Sequence, residues 1–310
     1  MSAGQTGRYT FRRHSRMLNA ECRRFTGELQ VENLSFLKAL ILGVIQGLTE
    51  FLPVSSSGHI MLGSEIFQTE LEGGLLSSFT VLLHAGTLLV ACIVYFDRII
   101  KMLRHPIKSE LKWLIAATLP TVIYALILKF TGWDEVIDAT ARTMLPFSFL
   151  LTSIFLLIAD GFAKNRRIAK KARGKVKGKN ALAMGLMQCV GTFTGVSRSG
   201  STITGGLASG LTPSAAVDFA FLMSVPATLG AIVLDVYEGL KGDMDFSALT
   251  DFVPQITVGV LASFVAGLLA LKLMVLAAKK GRLKIFAAYM FLLSVLVMIN
   301  DFAGAIWLKV

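Results

Sequence analysis

Six stretches of this chain are apolar for about twenty residues or more, at about 77–97, 112–131, 144–163, 215–237, 253–277 and 284–307. The hydrocarbon core of a bilayer takes ~20 such residues to cross as a helix. Inside it every backbone N–H and C=O must be paired within the protein, and a continuous apolar run of this length meets that demand as an α-helix. The chain is therefore expected to be an all-α polytopic membrane protein with six full transmembrane helices. Its 310 residues are 54% hydrophobic and 16% charged, too few polar side chains to cover soluble domains of that size. The net charge of +11 sits mostly in short loops beside the apolar runs. That placement reads as a topology signal, and no nucleic-acid partner is expected.

Two further regions, 35–70 and 180–212, are apolar but interrupted. Gln46, Glu50, Pro53 and an SSSG run break the first, and Gln188, TFTG and SRSGS break the second. Each reads as a re-entrant helix pair, two half-helices around a break. The loops set the orientation. Segments 98–112, 164–179 and 279–284 are basic, whereas 132–138 and 238–251 lean acidic. Placing every basic loop in the cytoplasm alternates consistently across the six spans. Region 180–212 then enters and leaves from the cytoplasmic side, and 35–70 from the outer side. The Arg-rich residues 1–34 form a basic polar N-terminal extension. They contain no apolar run followed by a small-residue cleavage site, so no secretory signal is read there, and this orientation places them outside, against the same charge rule. Residues 35–163 are one unit, 164–179 a basic cytoplasmic linker, and 180–310 a second unit.

The two units match each other at an offset of 142. Gly43, Gln46, Phe51, Val54, Ser55, Ser57 and Gly58 fall on Gly185, Gln188, Phe193, Val196, Ser197, Ser199 and Gly200. The register holds into the next helix, where Ala85, Val94 and Tyr95 fall on Ala227, Val236 and Tyr237. Each unit holds one re-entrant pair and three spans. Three is odd, so the second copy is expected upside down relative to the first. Such inverted-topology repeats bring broken helices together near the bilayer midplane.

A chain break at that depth requires a polar pocket around it. Gly58, Gly195 and Gly200 permit tight turns, and Ser55 to Ser57 and Ser197 to Ser201 supply hydroxyls for helix N-caps. Helix starts of this kind bind anions, phosphate above all. Arg198 adds a planar fork that suits phosphate oxygens, at a depth where a charge costs at least ~2.5 kcal/mol and marks function. Its counterpart at position 56 is Ser, so one half is expected to bind charge and the other to react. Gln46 and Glu50, four apart on one helix face, offer paired oxygen ligands for a hard divalent cation. Ser56 and His59 share a face if the helix starts at Pro53, which suits a nucleophile and its base or a proton donor to a leaving group. His84 and His105 read as ordinary polar residues. Cys22, Cys92 and Cys189 lie far apart and suggest neither a disulfide framework nor a zinc site. Small residues four apart from Gly259 onward would suit helix packing or a homodimer face.

QGLTEFLPVSSSGH (46–59) and GVSRSGSTITGG (195–206) resemble the two signature motifs of the undecaprenyl-diphosphate phosphatase family, linked to bacitracin resistance, and the similarity runs over nearly all of 35–310. The resemblance implies a bacterial inner-membrane enzyme that removes the terminal phosphate of undecaprenyl diphosphate, leaving the monophosphate carrier used in cell-wall synthesis. It implies Mg²⁺ or Ca²⁺ binding by Gln46 and Glu50. Catalytic roles fall on Ser56, His59, Glu50 and Arg198. Substrate binding falls on Ser55, Ser57, Gly58, Ser197, Ser199, Gly200 and Thr202. The chain has Thr194 where the family pattern has Pro, and Gln46 where the pattern allows Glu or Gln. Attack by Ser56, activated by His59 or Glu50, and attack by His59 itself both fit these residues. The competing class is a transporter or flippase of an anionic isoprenoid lipid, since inverted repeats with broken helices also build transporters.

Overall fold

The computed structural model of the protein describes residues 34–67, 69, 75–165, 172–238 and 250–303. Regular structure among them is helical apart from an isolated bridge between Arg173 and Leu211. Residues 1–33, and with them all but the last residue of the N-terminal extension, lie outside the described set, as do 166–171 of the basic linker.

The first interrupted region is two helices, α1 (Phe36–Phe51) and α2 (Ser56–Ile66). Ser35 caps α1 by accepting from the Lys38 N–H. Leu52 leaves α1 in an extended conformation, as the residue before a proline prefers. Ser55 then caps α2. The second interrupted region repeats the pattern as α7 (Gly178–Val190) and α8 (Arg198–Ala208), with Ser197 as the cap of α8. The second helix of the first break thus starts at Ser56, three residues later than a start at Pro53. Ser55 has φ +69°, which an L residue cannot hold inside a right-handed helix.

The long helices follow. After α3 (Leu75–Val94) the chain turns by 71° at Tyr95 into the short α4 (Phe96–Arg104). The basic segment 98–112 is therefore largely helix rather than loop, with Phe96 and Leu103 exposed and Arg98 paired to Glu110. α5 (Leu111–Thr131) ends at Gly132, whose left-handed φ of +71° reverses the chain directly into α6 (Trp133–Lys164). The acidic run 132–138, expected as a loop, forms the first turns of α6. Asp134 and Glu135 there meet the positive end of the helix dipole. α9 (Pro213–Glu238), α10 (Val253–Lys279) and α11 (Leu283–Phe302) complete the set. Among the described residues five helices are long and apolar enough to cross a membrane, and six if the bent pair α3–α4 counts as one span. The exposed Leu119, Ile127, Phe130, Leu261, Val265 and Phe291 present the apolar surface that lipid requires. The protein is an all-helical, multi-pass membrane protein.

Two close helix pairs flank the interior. α1 lies along α10, and α7 lies along α5. Both depend on glycine: a Cβ at Gly43 would stand 2.2 Å from the Gly259 carbonyl oxygen, and one at Gly185 would stand 2.3 Å from that of Ala117. α6 pairs with α11, and near one end of that pair Arg142 binds Asp301 through two N–H groups (3.1 and 2.9 Å) and Glu65 of α2 at 2.6 Å. The main apolar cluster joins Phe51, Met184, Ile203, Phe219, Phe221 and Met274, and it closes around the ends of α1 and α8.

Candidate active site

The two breaks touch. Gly195 N–H donates to Ser57 Oγ (3.2 Å), and Ser199 Oγ donates to the Leu52 carbonyl (3.3 Å). A Cβ on Gly200 would rest against Pro53 at 3.5 Å. Each helix start is held the same way. Ser55 Oγ accepts from Gly58 N–H (3.3 Å) and Ser197 Oγ accepts from Gly200 N–H (3.1 Å). Each capping hydroxyl also meets the hydroxyl two residues on, Ser57 at 3.4 Å and Ser199 at 3.2 Å. Gly58 sits on Phe149, where a Cβ would come within 2.4 Å of the ring. Gly191 passes so close to Arg198 that a Cβ would stand 2.7 Å from its Cα.

Glu50, at the end of α1, is the centre of the polar cluster. Its side chain is 7% exposed. One carboxylate oxygen accepts from Arg198 at 2.6 Å. The other accepts from Ser56 Oγ at 2.7 Å and from Gln46 Nε2 at 3.0 Å. Arg198 also donates to Thr228 Oγ1 at 3.1 Å. Two fixed points thus hold the planar guanidinium. Burying either charge alone would be costly, and the pair compensates both. A narrow cleft opens beside them, lined by Glu50, Phe51, Arg198, Ser199, Thr202 and Ser224 among others. Thr202 Oγ1 is turned back to the Arg198 carbonyl at 2.9 Å.

The structure therefore gathers Gln46, Glu50, Ser56 and Arg198 into one hydrogen-bonded group, with Ser199 and Thr202 on its cleft. Ser55, Ser57, Gly58, Ser197 and Gly200 frame the two helix starts. His59 stands apart from the Ser56–Glu50 contact. Its Nδ1 meets the Ser55 carbonyl (2.8 Å) and its Nε2 meets Tyr289 Oη (2.6 Å). Of the two bases the sequence offers Ser56, Glu50 is the one in contact.

Three residues of the site escaped the sequence reading. His84, read there as an ordinary polar residue, bonds the Thr80 carbonyl through Nδ1 (2.8 Å) and turns Nε2 toward Glu50 at 3.6 Å. Thr228 holds Arg198, and Tyr289 holds His59. All three lie outside the two motifs on separate long helices, where a lone polar residue in apolar sequence carries no spacing to decode. His84, 34 residues after Glu50 and midway along a predicted span, was the nearest to a signal, because polar residues at that depth are functional by default.

A hard divalent cation fits the donor set. Gln46 is fully buried and its Oε1 has no hydrogen-bond partner, while Glu50 adds a carboxylate. Both are oxygen ligands of the kind Mg²⁺ and Ca²⁺ take, with substrate oxygens completing the shell.

In this multi-pass membrane protein two broken helices join a hydroxyl, a carboxylate and a guanidinium beside a cleft, an arrangement whose chemistry suits an anionic group. Comparison with known proteins specifies which kind. The family model of the bacitracin resistance protein BacA matches residues 39–296, and the chain belongs to that family. It is 36% identical over 269 residues to undecaprenyl-diphosphatase 4 of Bacillus thuringiensis subsp. konkukian, covering 87% of this chain and 98% of that protein. It is 35% identical over 271 residues to the undecaprenyl-diphosphatase of Carboxydothermus hydrogenoformans, covering 87% and 99%. Against the enzyme of that name from Acinetobacter baumannii (strain ATCC 17978) the figure is 32% over 276 residues, covering 87% and 97%.

Proposed function

We infer that this protein hydrolyses undecaprenyl diphosphate to undecaprenyl phosphate and inorganic phosphate. Family membership and the names of the relatives support the reaction. The observation that carries its assignment to these residues is the Glu50 carboxylate, which bridges Ser56 Oγ at 2.7 Å and Arg198 at 2.6 Å.

In this reading Ser56 Oγ attacks the terminal phosphorus. The Oγ–P bond forms, the bridging P–O bond breaks, and undecaprenyl phosphate leaves with the bridging electrons. Glu50 accepts the Ser56 proton through the hydrogen bond already in place. Arg198, held by Glu50 and Thr228, lays its remaining N–H groups along the transferring phosphoryl oxygens, where charge spreads in the transition state. The N–H groups at the starts of α2 and α8 add partial positive charge. Water then attacks the phosphoserine, phosphate departs, and Ser56 recovers its proton. His59, beside the start of α2, serves the leaving phosphate as a hydrogen-bond donor. Glu50 and Gln46 would hold a Mg²⁺ or Ca²⁺ ion, which would further neutralise the diphosphate charge.

The architecture behind this site is an inverted repeat of 35–163 and 180–310 in the bacterial inner membrane, with α1–α2 and α7–α8 re-entering from opposite leaflets. The exchange of packing partners supports it: α1 lies on α10 as α7 lies on α5, and the close contacts Gly43–Gly259 and Gly185–Ala117 keep the 142-residue offset at both ends. The isoprenoid tail would lie in lipid beside the cleft, and a homodimer is compatible with the exposed apolar faces.

The test is phosphate release from a C55 or C15 isoprenyl diphosphate by purified protein, with and without chelator. Chelator-sensitive release that Ser56→Ala abolishes is expected. Full turnover by Ser56→Ala would eliminate the serine route, and bound substrate with no release by the intact protein would favour transport.

A further inference from the structure

The imidazole of His59 is held more tightly than any requirement of the helix explains. It meets two rings: Phe149, wholly buried and tilted against it at 5.9 Å, and Tyr289, nearly parallel to it at 5.7 Å and 18°. Gly58 lets α2 settle onto Phe149 and so sets the height of the imidazole on that face. Both nitrogens are then engaged. Nδ1 lies 2.8 Å from the Ser55 carbonyl, which can only accept, so Nδ1 carries a proton. The neutral ring then has a bare Nε2, and Tyr289 Oη, 2.6 Å away, donates to it. When Nε2 carries a proton as well, the same Tyr289 oxygen accepts. A phenol hydroxyl is therefore the one partner here that serves both states without moving the ring.

The two residues are 230 positions apart, with His59 beside the reacting serine and Tyr289 on α11, in the opposite half of the chain. The contact is not needed to pin α2 against the pair α6–α11. Arg142 does that at the other end of α2, through Glu65 and Asp301. Tyr289 is 44% exposed, so it is not a core residue.

We propose that Tyr289 is a positioning residue for the phosphatase reaction: its hydroxyl keeps the His59 imidazole oriented so that Nε2, once it carries a proton, can exchange Tyr289 for the leaving phosphate. This rests on the reading of His59 as a donor to that phosphate. Tyr289→Phe keeps the aromatic ring and removes only the hydroxyl. It is expected to lower kcat about tenfold, equivalent to a loss of about 1.4 kcal/mol, with KM for a C15 isoprenyl diphosphate within about twofold, because the hydroxyl acts through the imidazole rather than on ground-state binding. In a His59→Gln background the same change is expected to have no further effect, as residues acting in series give non-additive losses. The ¹⁵N resonance of His59 Nε2 should move in Tyr289→Phe. Three outcomes overturn the proposal: an unmoved resonance, an unchanged kcat in Tyr289→Phe, or losses that multiply across the two variants. Full turnover by His59→Gln has a separate meaning, because it removes the role of His59 itself, whatever the resonance shows.

Discussion

The break at 52–55 and the break at 191–197 share one scaffold and differ in their chemistry. Each has a serine whose hydroxyl caps the next helix through the N–H three residues on, a second serine that bonds across to the other break, and a glycine one turn into the helix. Yet the first presents Glu50, Ser56 and His59, where the second presents Thr192, Arg198 and Ser201. Thr192 is exposed and spends its hydroxyl on the Cys189 carbonyl. Gln46 reaches Glu50, whereas Gln188 reaches Thr121. The common part places backbone N–H groups and small residues, and those can be duplicated freely. The reacting part is needed once. An anionic carboxylate from one half and a cationic guanidinium from the other neutralise each other only because the halves are unequal.

The largest expected effect comes from erasing that inequality at Glu50. Glu50→Gln removes the base of the proposed mechanism and leaves Arg198 without its counter-charge, so kcat should fall by about 10³-fold, within the range of general-base losses. Thr192→Val, at the equivalent place in the other break, should leave turnover as in the parent protein. Initial rates of phosphate release on both variants measure the contrast, and similar losses in the two would show that the halves contribute alike.

Arg198→Lys comes next. The charge stays, but the fork that bonds Glu50 and Thr228 together and still faces the cleft is lost. A fall of about 10²-fold in kcat/KM is expected, of the size seen for removing one transition-state donor. Were lysine to support parent-level kcat/KM, charge alone would explain the site and the Thr228 contact would be incidental.

How much of this could be read from the chain follows the same division. The helices were legible because apolar length is a one-dimensional property, and the two breaks because Ser and Gly in a repeated register are rare in apolar sequence. Glu50, Ser56 and Arg198 stood inside those runs. Glu50 was one of the two bases the sequence offered Ser56, but its direct contact with Arg198 was not legible, since it depends on α1 and α8 approaching across 148 positions. Nor were His84, Thr228 and Tyr289, each of which gains its role from a partner on another helix. The loop at 132–138 was misread for a local reason: a single left-handed glycine replaced the whole connection, and the acidic residues meant something at a helix start that they would not mean in a loop.

The glycine seats should behave alike in the two halves. Gly43→Ala and Gly185→Ala each drive a methyl group into a backbone carbonyl, at 2.2 and 2.3 Å. Neither carbonyl can rotate away within its helix, so each variant should lose about 1–3 kcal/mol, as overpacked cores do. Thermal unfolding in one detergent would show comparable drops. A drop confined to one variant would mean that the helix pairs α1–α10 and α5–α7 are not equivalent.

The smallest effect separates the two capping serines. Ser55 holds φ +69°, while Ser197 sits at −74° in an ordinary extended conformation. Left-handed backbone costs an L residue about 1–2 kcal/mol, and glycine does not pay it. Replacing a capping serine by glycine loses only a few tenths of a kcal/mol, and the added freedom of the unfolded chain costs about 0.4–1 more. In Ser55→Gly the relief offsets both losses, so stability should stay within about 0.5 kcal/mol of the parent. Ser197→Gly has no strain to release and should lose about 1 kcal/mol from the same two costs. Unfolding midpoints of the two variants, compared side by side, decide the point. Equal losses would show that the turn at Ser55 carries no strain, and that the first break differs from the second only in its side chains.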